Sequence, residues 1–413
     1  MPGIALIADD LTGAMDSGLQ FGKRGLRTLV ALSPARLPEA EVLVVDTDTR
    51  EARATEAYRR VGEVARALGA RPAPAGRLYK KVDSTMRGNV GYELRALLEA
   101  LRPRAIVVAP AFPRGGRTTR DGVQRVDGLP LELTPFAHDP RWPMRESHLP
   151  TLLLAQAGRE VGHVGLAEVE RGAAALARAL DARPEPLIVA DALTGEHLTA
   201  IAAAVVALGE EWLPCGSAGL AEHWADALGL AARPPAPHPA PGAGPVLVVA
   251  GSRNNVTVAQ LRRAIAERAL PCVAVDPHAW WDPAGEARRL AAECLGPLRA
   301  GRDVVLASSL APLVPGRGGA VAALMGAAVA EAAAGAALGG LFVTGGDIAV
   351  AACRALGAEA LAIEHEVQPG VPGGRLAGGA ADGLRVVTKA GGFGDERALV
   401  DALDYLHGLS AAG

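Results

Sequence analysis

The sequence predicts an α/β fold of two domains with largely parallel sheets. Three observations predict it. The chain has 413 residues, more than one hydrophobic core usually organises. Short apolar runs alternate with helical patterns, and that alternation implies crossover connections and parallel pairing. Residues 231–245, AARPPAPHPAPGAGP, interrupt it with six prolines, which remove backbone donors and favour an extended spacer. The expected division is an N-terminal domain over 1–230, a linker over 231–245 and a C-terminal domain over 246–413.

Taken in order, the apolar runs at 4–8, 28–32, 42–45, 78–82, 105–109 and 187–190 read as buried strands. Helical patterns at 52–68, 90–101 and 196–208 follow several of them. The pattern restarts after the linker. Strands are expected at 246–250, 272–275, 304–307 and 341–344, and helices at 256–268, 284–300 and 320–338. The last helix is Ala-rich but interrupted by Glu331 and several glycines, so it reads as a buried helix rather than a membrane span. Residues 114–150 are too rich in Gly, Arg and Pro for a strand–helix assignment and read as a long structured loop.

Composition narrows the class. Aromatic residues are 3% of the chain, so the core is built mainly from Ala, Val and Leu. A formal net charge of −3 gives no global field to attract nucleic acid or an anionic membrane. Any anionic substrate must be held by a local cluster of donors. Four scattered cysteines, without a CxxC pair or zinc spacing, fit a reducing cytoplasm, and the N-terminus has no basic region of a signal peptide.

The segments that carry chemistry lie at strand ends, where open α/β sheets bind ligands. At the first strand's tip stand Asp9 and Asp10, followed by Thr12-Gly13. They suit a proton acceptor or a polyol partner; a helix cap is the alternative. Arg50 ends the next such segment and suits a bidentate grip on a carboxylate, or a surface salt bridge. Residues 79–89, YKKVDSTMRGN, concentrate two lysines, an Asp, two hydroxyls, an Arg and an Asn at a strand–helix junction. Capping does not require those cations; an anionic polyol does. Residues 109–119 add glycines with Arg114 and Arg117, which either close over a substrate or turn the chain.

The second half has phosphate-binding character. Residues 250–255 (AGSRNN), 343–347 (VTGGD) and 388–395 (TKAGGFGD) each follow an apolar strand. Paired glycines let backbone N–H groups approach a phosphate, and a helix N-terminus favours anions. Asp347 either binds Mg²⁺ or caps its helix. The sequence lacks a GxxxxGK[ST] loop, a GxGxxG fingerprint after a strand and HExxH, and its nine histidines show no ligand-like spacing.

In this order, ADDLTGA (8–14), KKVDSTMRGN (80–89), PAFPRGGRTT (110–119), CGSAGLA (215–221), AGSRNNVT (250–257), TGGDIA (344–349) and KAGGFG (389–394) resemble the four-carbon acid sugar kinase family over essentially the whole chain. The resemblance implies a sugar-binding N-terminal domain and a nucleotide-binding C-terminal domain, with the active site in the cleft between them. It implies ATP-dependent phosphorylation of the terminal C4 hydroxyl of a tetronic acid such as D-threonate or D-erythronate. A 3-oxo-tetronate or another aldonate, and a non-catalytic sugar-acid sensor, are the alternatives. Carried over by position, Asp10, Arg50, Lys81, Val82, Asp83, Ser84, Thr85 and Arg87 face the acid. Ser252, Thr344, Gly345, Gly346, Asp347 and Gly391 face ATP, with Asp347 a candidate for Mg²⁺. Asp9, Asp10 or Asp83 takes the hydroxyl proton, and the sequence does not choose. The expected partners are the sugar acid and ATP, without nucleic acid or membrane, in a cytoplasmic protein for which a homodimer is allowed.

Overall fold

The computed structural model describes residues 3–69, 77–139, 141–230, 243–276, 282–311 and 316–409. The strands are β1 (Ile4–Ala8), β2 (Thr28–Ala31), β3 (Val42–Asp46), β4 (Leu78–Lys81), β5 (Ala105–Ala109), β6 (Arg117–Arg120), β7 (Val123–Val126), β8 (Leu129–Pro130), β9 (Val161–Val164), β10 (Leu187–Ala190) and β11 (Trp212–Gly216). They continue as β12 (Val246–Ala250), β13 (Cys272–Ala274), β14 (Val304–Ala307), β15 (Gly340–Thr344), β16 (Ala360–Gln368), β17 (Val371–Ala377) and β18 (Arg385–Lys389). The helices are α1 (Leu11–Gly22), α2 (Ala54–Gly69), α3 (Val90–Leu101), α4 (Leu149–Ala157), α5 (Leu166–Val169), α6 (Ala173–Asp181), α7 (Gly195–Leu208) and α8 (Ala218–Ala227). They are followed by α9 (Asn255–Arg268), α10 (Pro283–Arg299), α11 (Gly318–Gly335), α12 (Gly346–Ala355) and α13 (Ala398–Leu406).

The chain divides into two units, Met1–Leu26 with Ser33–Arg233, and Arg27–Leu32 with Pro234–Gly413. In the first, β3-β1-β4-β11-β5-β10-β9 form a sheet whose pairs are all parallel. Every residue of β3, β5, β10 and β11 is buried, as expected for strands covered on both faces. The chain runs from β1 to β3 on one side and then crosses to β4 on the other, so β1 marks a topological switch point. The segment read as an irregular loop holds a small antiparallel sheet, β6-β7-β8.

In the second unit β13-β14-β12-β15-β18 run parallel, and β17, β16 and β2 extend the sheet in antiparallel fashion. Its switch point is β12, which lies between β14 and β15. Segment 27–32 departs from the expected division at the linker, because Thr28–Ala31 pairs with Ile363–Ala360 of β16. A four-residue buried run carries no mark of which sheet it joins. The linker expectation falls mainly on residues 231–242, outside the described residues. Helix α11 packs against α10 and α12, with Leu324, Met325 and Val329 buried.

Candidate active site

Strand β1 delivers Asp9 and Asp10 at its C-terminal end, at the switch point of the first unit. The loop after β3 docks there: the backbone N–H groups of Thr49 and Arg50 donate to the Asp9 carbonyl at 2.9 and 3.1 Å. The Arg50 guanidinium then fits between both carboxylates. Its Nε and Nη2 donate to Asp9 at 2.7 and 3.0 Å, and Nη1 and Nη2 donate to Asp10 at 2.6 and 2.7 Å. Four of its five N–H donors are thereby engaged. Asp10 also caps α1, accepting from Gly13 N at 2.8 Å.

The two neighbouring carboxyls are driven in opposite directions. Burial pushes the Asp9 carboxyl up, but Arg50, Lys80 and Lys81 outweigh it and hold it below its ordinary value. At Asp10 burial wins: together with the Asp9 charge it overcomes Arg50 and Lys81, and the carboxyl lies above its ordinary value. Asp9 is 2% exposed, whereas the Asp10 side chain retains 22% exposure.

Strand alternation sends Lys80 and Lys81 to opposite faces of β4. Lys80 pairs with Glu93 of α3 at 2.7 Å, both fully enclosed. Glu93 also accepts from Thr49 Oγ1 at 2.6 Å, and Thr47 Oγ1 donates to the Ala8 carbonyl at 2.7 Å. Asn89 Nδ2 donates to the carbonyls of Thr49 and Ala52, each at 2.8 Å. This buried network fixes the loop that carries Arg50. Lys81 turns the other way, its Nζ donating to the Val82 carbonyl at 2.8 Å. A Cβ at position 13 would lie 2.7 Å from both Lys81 Nζ and Asp10 Oδ1, so those side-chain ends would have to shift.

Beyond β4, Asp83 accepts from Arg87 Nε at 2.7 Å and from Thr85 Oγ1. Burial acts to raise the Asp83 carboxyl, but Arg87, Arg50 and these bonds carry it well below the usual carboxylate range. Arg87 continues to Asp139 at 3.2 Å and stacks over the Phe136 ring at 5.2 Å. Trp142 Nε1 donates to the Arg50 carbonyl, and Gln124 Nε2 donates to the Ser84 carbonyl at 2.6 Å. The segment after β5 thus holds the loops after β3 and β4 from outside. Arg114 of that segment pairs with Glu222 of α8.

In the second unit, Gly345 adopts φ +103° between β15 and α12, a conformation open to glycine. The N–H groups of Gly251 and Ser252 donate to the Thr344 carbonyl at 2.9 and 3.2 Å, which seats the AGSRNN turn beside it. A Cβ on Gly391 would lie 2.3 Å from Ser252 Oγ, so the third glycine loop closes on the first. Lys389 holds that loop from inside. Its Nζ donates to the carbonyls of Ala390, Gly391 and Phe393 at 2.8, 3.1 and 3.1 Å, and to Thr257 Oγ1 at 3.2 Å. Burial pushes this amine down to about 8. Asp347 stands exposed on the first turn of α12.

Comparison with known proteins decides the family. A sugar-binding N-terminal domain matches residues 4–224, and a nucleotide-binding C-terminal domain matches residues 247–399. A D-threonate kinase of Bordetella bronchiseptica is 39% identical, over 97% of this chain and 96% of its own. The chain belongs to the four-carbon acid sugar kinase family. A D-erythronate kinase of Heliobacterium modesticaldum, 35% identical over 98% and 97% of the two chains, agrees. A solved protein of Salmonella typhimurium LT2 shares this chain's fold with TM-score 0.80, at 27% identity over 97% of this chain and 98% of that one. A Bordetella bronchiseptica structure with bound citrate, a domain-swapped dimer, matches at 34% identity and TM-score 0.50 over both whole chains. As a member of this kinase family the chain is an ATP-dependent phosphotransferase acting on a hydroxyl.

The structure brings Asp9, Asp10, Arg50 and Lys81 together around the end of β1. Asp83, Thr85 and Arg87 form a second cluster beside them, linked by the charge of Arg50 on Asp83. Val82 is buried, and its N–H donates to the Gly216 carbonyl while its own carbonyl accepts from Lys81. Ser252, Thr344, Gly345 and Gly391 converge around the end of β12 in the second unit, where Gly346 and Asp347 open α12. Sequence reasoning counted Lys80 among the donors of residues 79–89 but did not place it beneath Arg50 with Glu93 and Thr49, and it missed Gln124, Asp139 and Trp142 on the outer side. Alternation in β4 was a signal for Lys80; the others are contacts between distant segments.

Proposed function

We propose that the chain phosphorylates the terminal C4 hydroxyl of D-threonate or D-erythronate, using ATP and Mg²⁺. One observation carries the mechanism: Asp10 is the only one of the three candidate carboxylates held above its ordinary pKa, and it keeps an exposed edge. Asp9 and Asp10 share the Arg50 guanidinium, but Asp9 is enclosed and held below its ordinary value, and Asp83 is bound to Arg87 and Thr85, so neither Asp9 nor Asp83 is suited to accept a proton. Asp10 is therefore the general base, since a raised pKa makes it the strongest proton acceptor of the three.

Lys81, Ser84 and Arg87 receive the acid. Arg87 has N–H donors beyond its three side-chain bonds to Asp83 and Asp139, and these suit a carboxylate. Arg50 acts through Asp9 and Asp10 as a positioning residue. The triphosphate lies on the Gly345–Gly346 turn with Ser252 and Gly391 beside it. Residues 1–230 hold the acid and residues 246–413 hold the triphosphate, and phosphoryl transfer draws its rate from in-line positioning of the two. Asp347 is the residue that would hold Mg²⁺; a single exposed carboxylate suits an ion that takes its other ligands from phosphate and water. When bound, that ion supplies charge neutralisation at the β- and γ-phosphoryl oxygens.

Relatives named 3-oxo-tetronate kinase match at 33% identity or below, which favours the tetronates. The four cysteines are free thiols, in keeping with a cytoplasmic protein, and a homodimer is the assembly we propose by likeness to the dimeric Bordetella structure. A coupled ADP-release screen over D- and L-threonate, D- and L-erythronate and their 3-oxo forms tests the reading. Turnover is expected with a D-tetronate; ADP release only with a 3-oxo acid, or with none, sinks it.

A further inference from the structure

Among the described residues of the second unit, Thr344 Oγ1 at the end of β15 and Ser309 Oγ just past β14 are buried without a hydrogen-bond partner. Their residues are 1% and 6% exposed. A buried hydroxyl left unpaired is costly, and native proteins rarely keep one without water or a ligand to satisfy it. Placement separates these two from orphans such as Ser17 Oγ and Gln20 Oε1, which lie within α1.

Ala250, the last residue of β12, is in register with Ala307 on one side and Thr344 on the other. Backbone bonding continues past the strand ends. Ser308 N and Ser309 N donate to the Ala250 carbonyl at 2.9 and 3.2 Å, as Gly251 N and Ser252 N do to that of Thr344. Arg253 then pins the Ser309 loop, its Nη1 donating to the Ser308 carbonyl at 3.1 Å and Nη2 to that of Ala311 at 2.6 Å. Ser309 and Thr344 thus flank the Gly251–Ser252 turn at the switch point, roughly two inter-strand spacings or ~10 Å apart. One phosphate group does not reach across that distance. A nucleotide with its sugar and phosphate chain does.

We infer that Ser309 is a further nucleotide ligand, its hydroxyl donating to an oxygen of the ATP bound by this unit, and that Arg253 positions it. The inference rests on the reading of this unit as the ATP-binding one. No role in the acid site is involved.

The test uses Ser309→Ala and ADP as the calorimetric probe, so that no turnover is needed. ADP affinity should fall about tenfold, the size of one lost hydrogen bond to a charged group. The KM for ATP should rise with it, while the KM for the acid stays fixed. The ligand-free Tm should hold or increase, because the substitution removes an unpaired buried group. Unchanged ADP affinity overturns the inference. So does an affinity loss accompanied by a lower ligand-free Tm, which marks a structural hydroxyl. Failure of the proposed acid kinase reaction looks different: wild-type protein then binds ADP but releases none with any tetronate.

Discussion

The two units present opposite means of holding the anions we propose for them. In the first, the machinery is ionic, with Asp9, Asp10, Arg50, Lys81, Asp83 and Arg87 meeting in one buried network. In the second it is backbone and hydroxyl: Gly345, Gly346, Gly391, Ser252 and Thr344, with one exposed carboxylate at Asp347. Phosphates bring several charges of their own, so N–H groups at a helix start suffice to bind them. A tetronate brings one carboxylate and several hydroxyls, and recognising it takes directed donors held in fixed orientation. The ion pairs of the first unit supply that rigidity, and two opposed carboxyl shifts come with it.

The largest effect that can break this contrast is at Asp10. Asp10→Asn retains one acceptor oxygen for Gly13 and Arg50 but removes the proposed base, and kcat should fall about 10²- to 10⁴-fold. The sign of the pH dependence follows from the raised pKa. Asp10 remains protonated at pH values where an ordinary aspartate has ionised, so activity on its account appears only as pH climbs past that raised value. Steady-state rates should show an acid limb above the ordinary carboxylate value of 3.8, and the limb should vanish in the variant. An unchanged limb in Asp10→Asn would assign the base elsewhere.

A smaller effect is expected from the other unit, and on a different constant. A Cβ at Gly391 would lie 2.3 Å from Ser252 Oγ and 3.0 Å from Asn254 Cβ, so Gly391→Ala must displace the AGSRNN turn. Overpacking of this kind costs about 1–3 kcal/mol, which should appear as an ATP KM raised about tenfold or more. The KM for the acid should not move. If the acid KM rises equally, the separation of labour between the two units is wrong.

Much of this contrast was legible in the sequence, for a physical reason. Strands β1, β5, β10, β12 and β14 match their expected bounds residue for residue, because parallel strands buried on both faces read as unbroken apolar runs. Strand β11 was missed: its sequence, WLPCG, carries Pro214 in its interior and lacks such a run. The hairpin β16–β17 was missed for similar reasons, since HEVQ and VPGG interrupt the apolar pattern. The strand-end motifs were visible as clusters of chemistry. What they touch was not. Arg50 read as either a grip on substrate or a salt-bridge partner, and its partners in the fold, Asp9 and Asp10, lie forty and more positions away along the chain.

The smallest effect sharpens the comparison from within the second unit, which contains a buried cation of its own. Lys389 is 2% exposed, and its four acceptors are all uncharged, unlike Lys80, which has Glu93. Their pKa values part accordingly: burial lowers that of Lys389 to about 8, whereas Glu93 and Asp9 overcome burial and raise that of Lys80. Between about 8 and the ordinary 10.5 the folded chain binds fewer protons at Lys389 than the unfolded chain, so this group's contribution to stability increases with pH. The penalty is fully present below about 8 and is relieved as pH approaches 10.5. Taking the unfolding free energy of wild type minus that of Lys389→Met cancels the other titrations. That difference should grow by about 2 kcal/mol between about pH 7.5 and about pH 9.5. A flat difference would mean that the carbonyls of the KAGGFG loop stabilise the ammonium as well as water does, and that this loop, like the acid site, is held by charge.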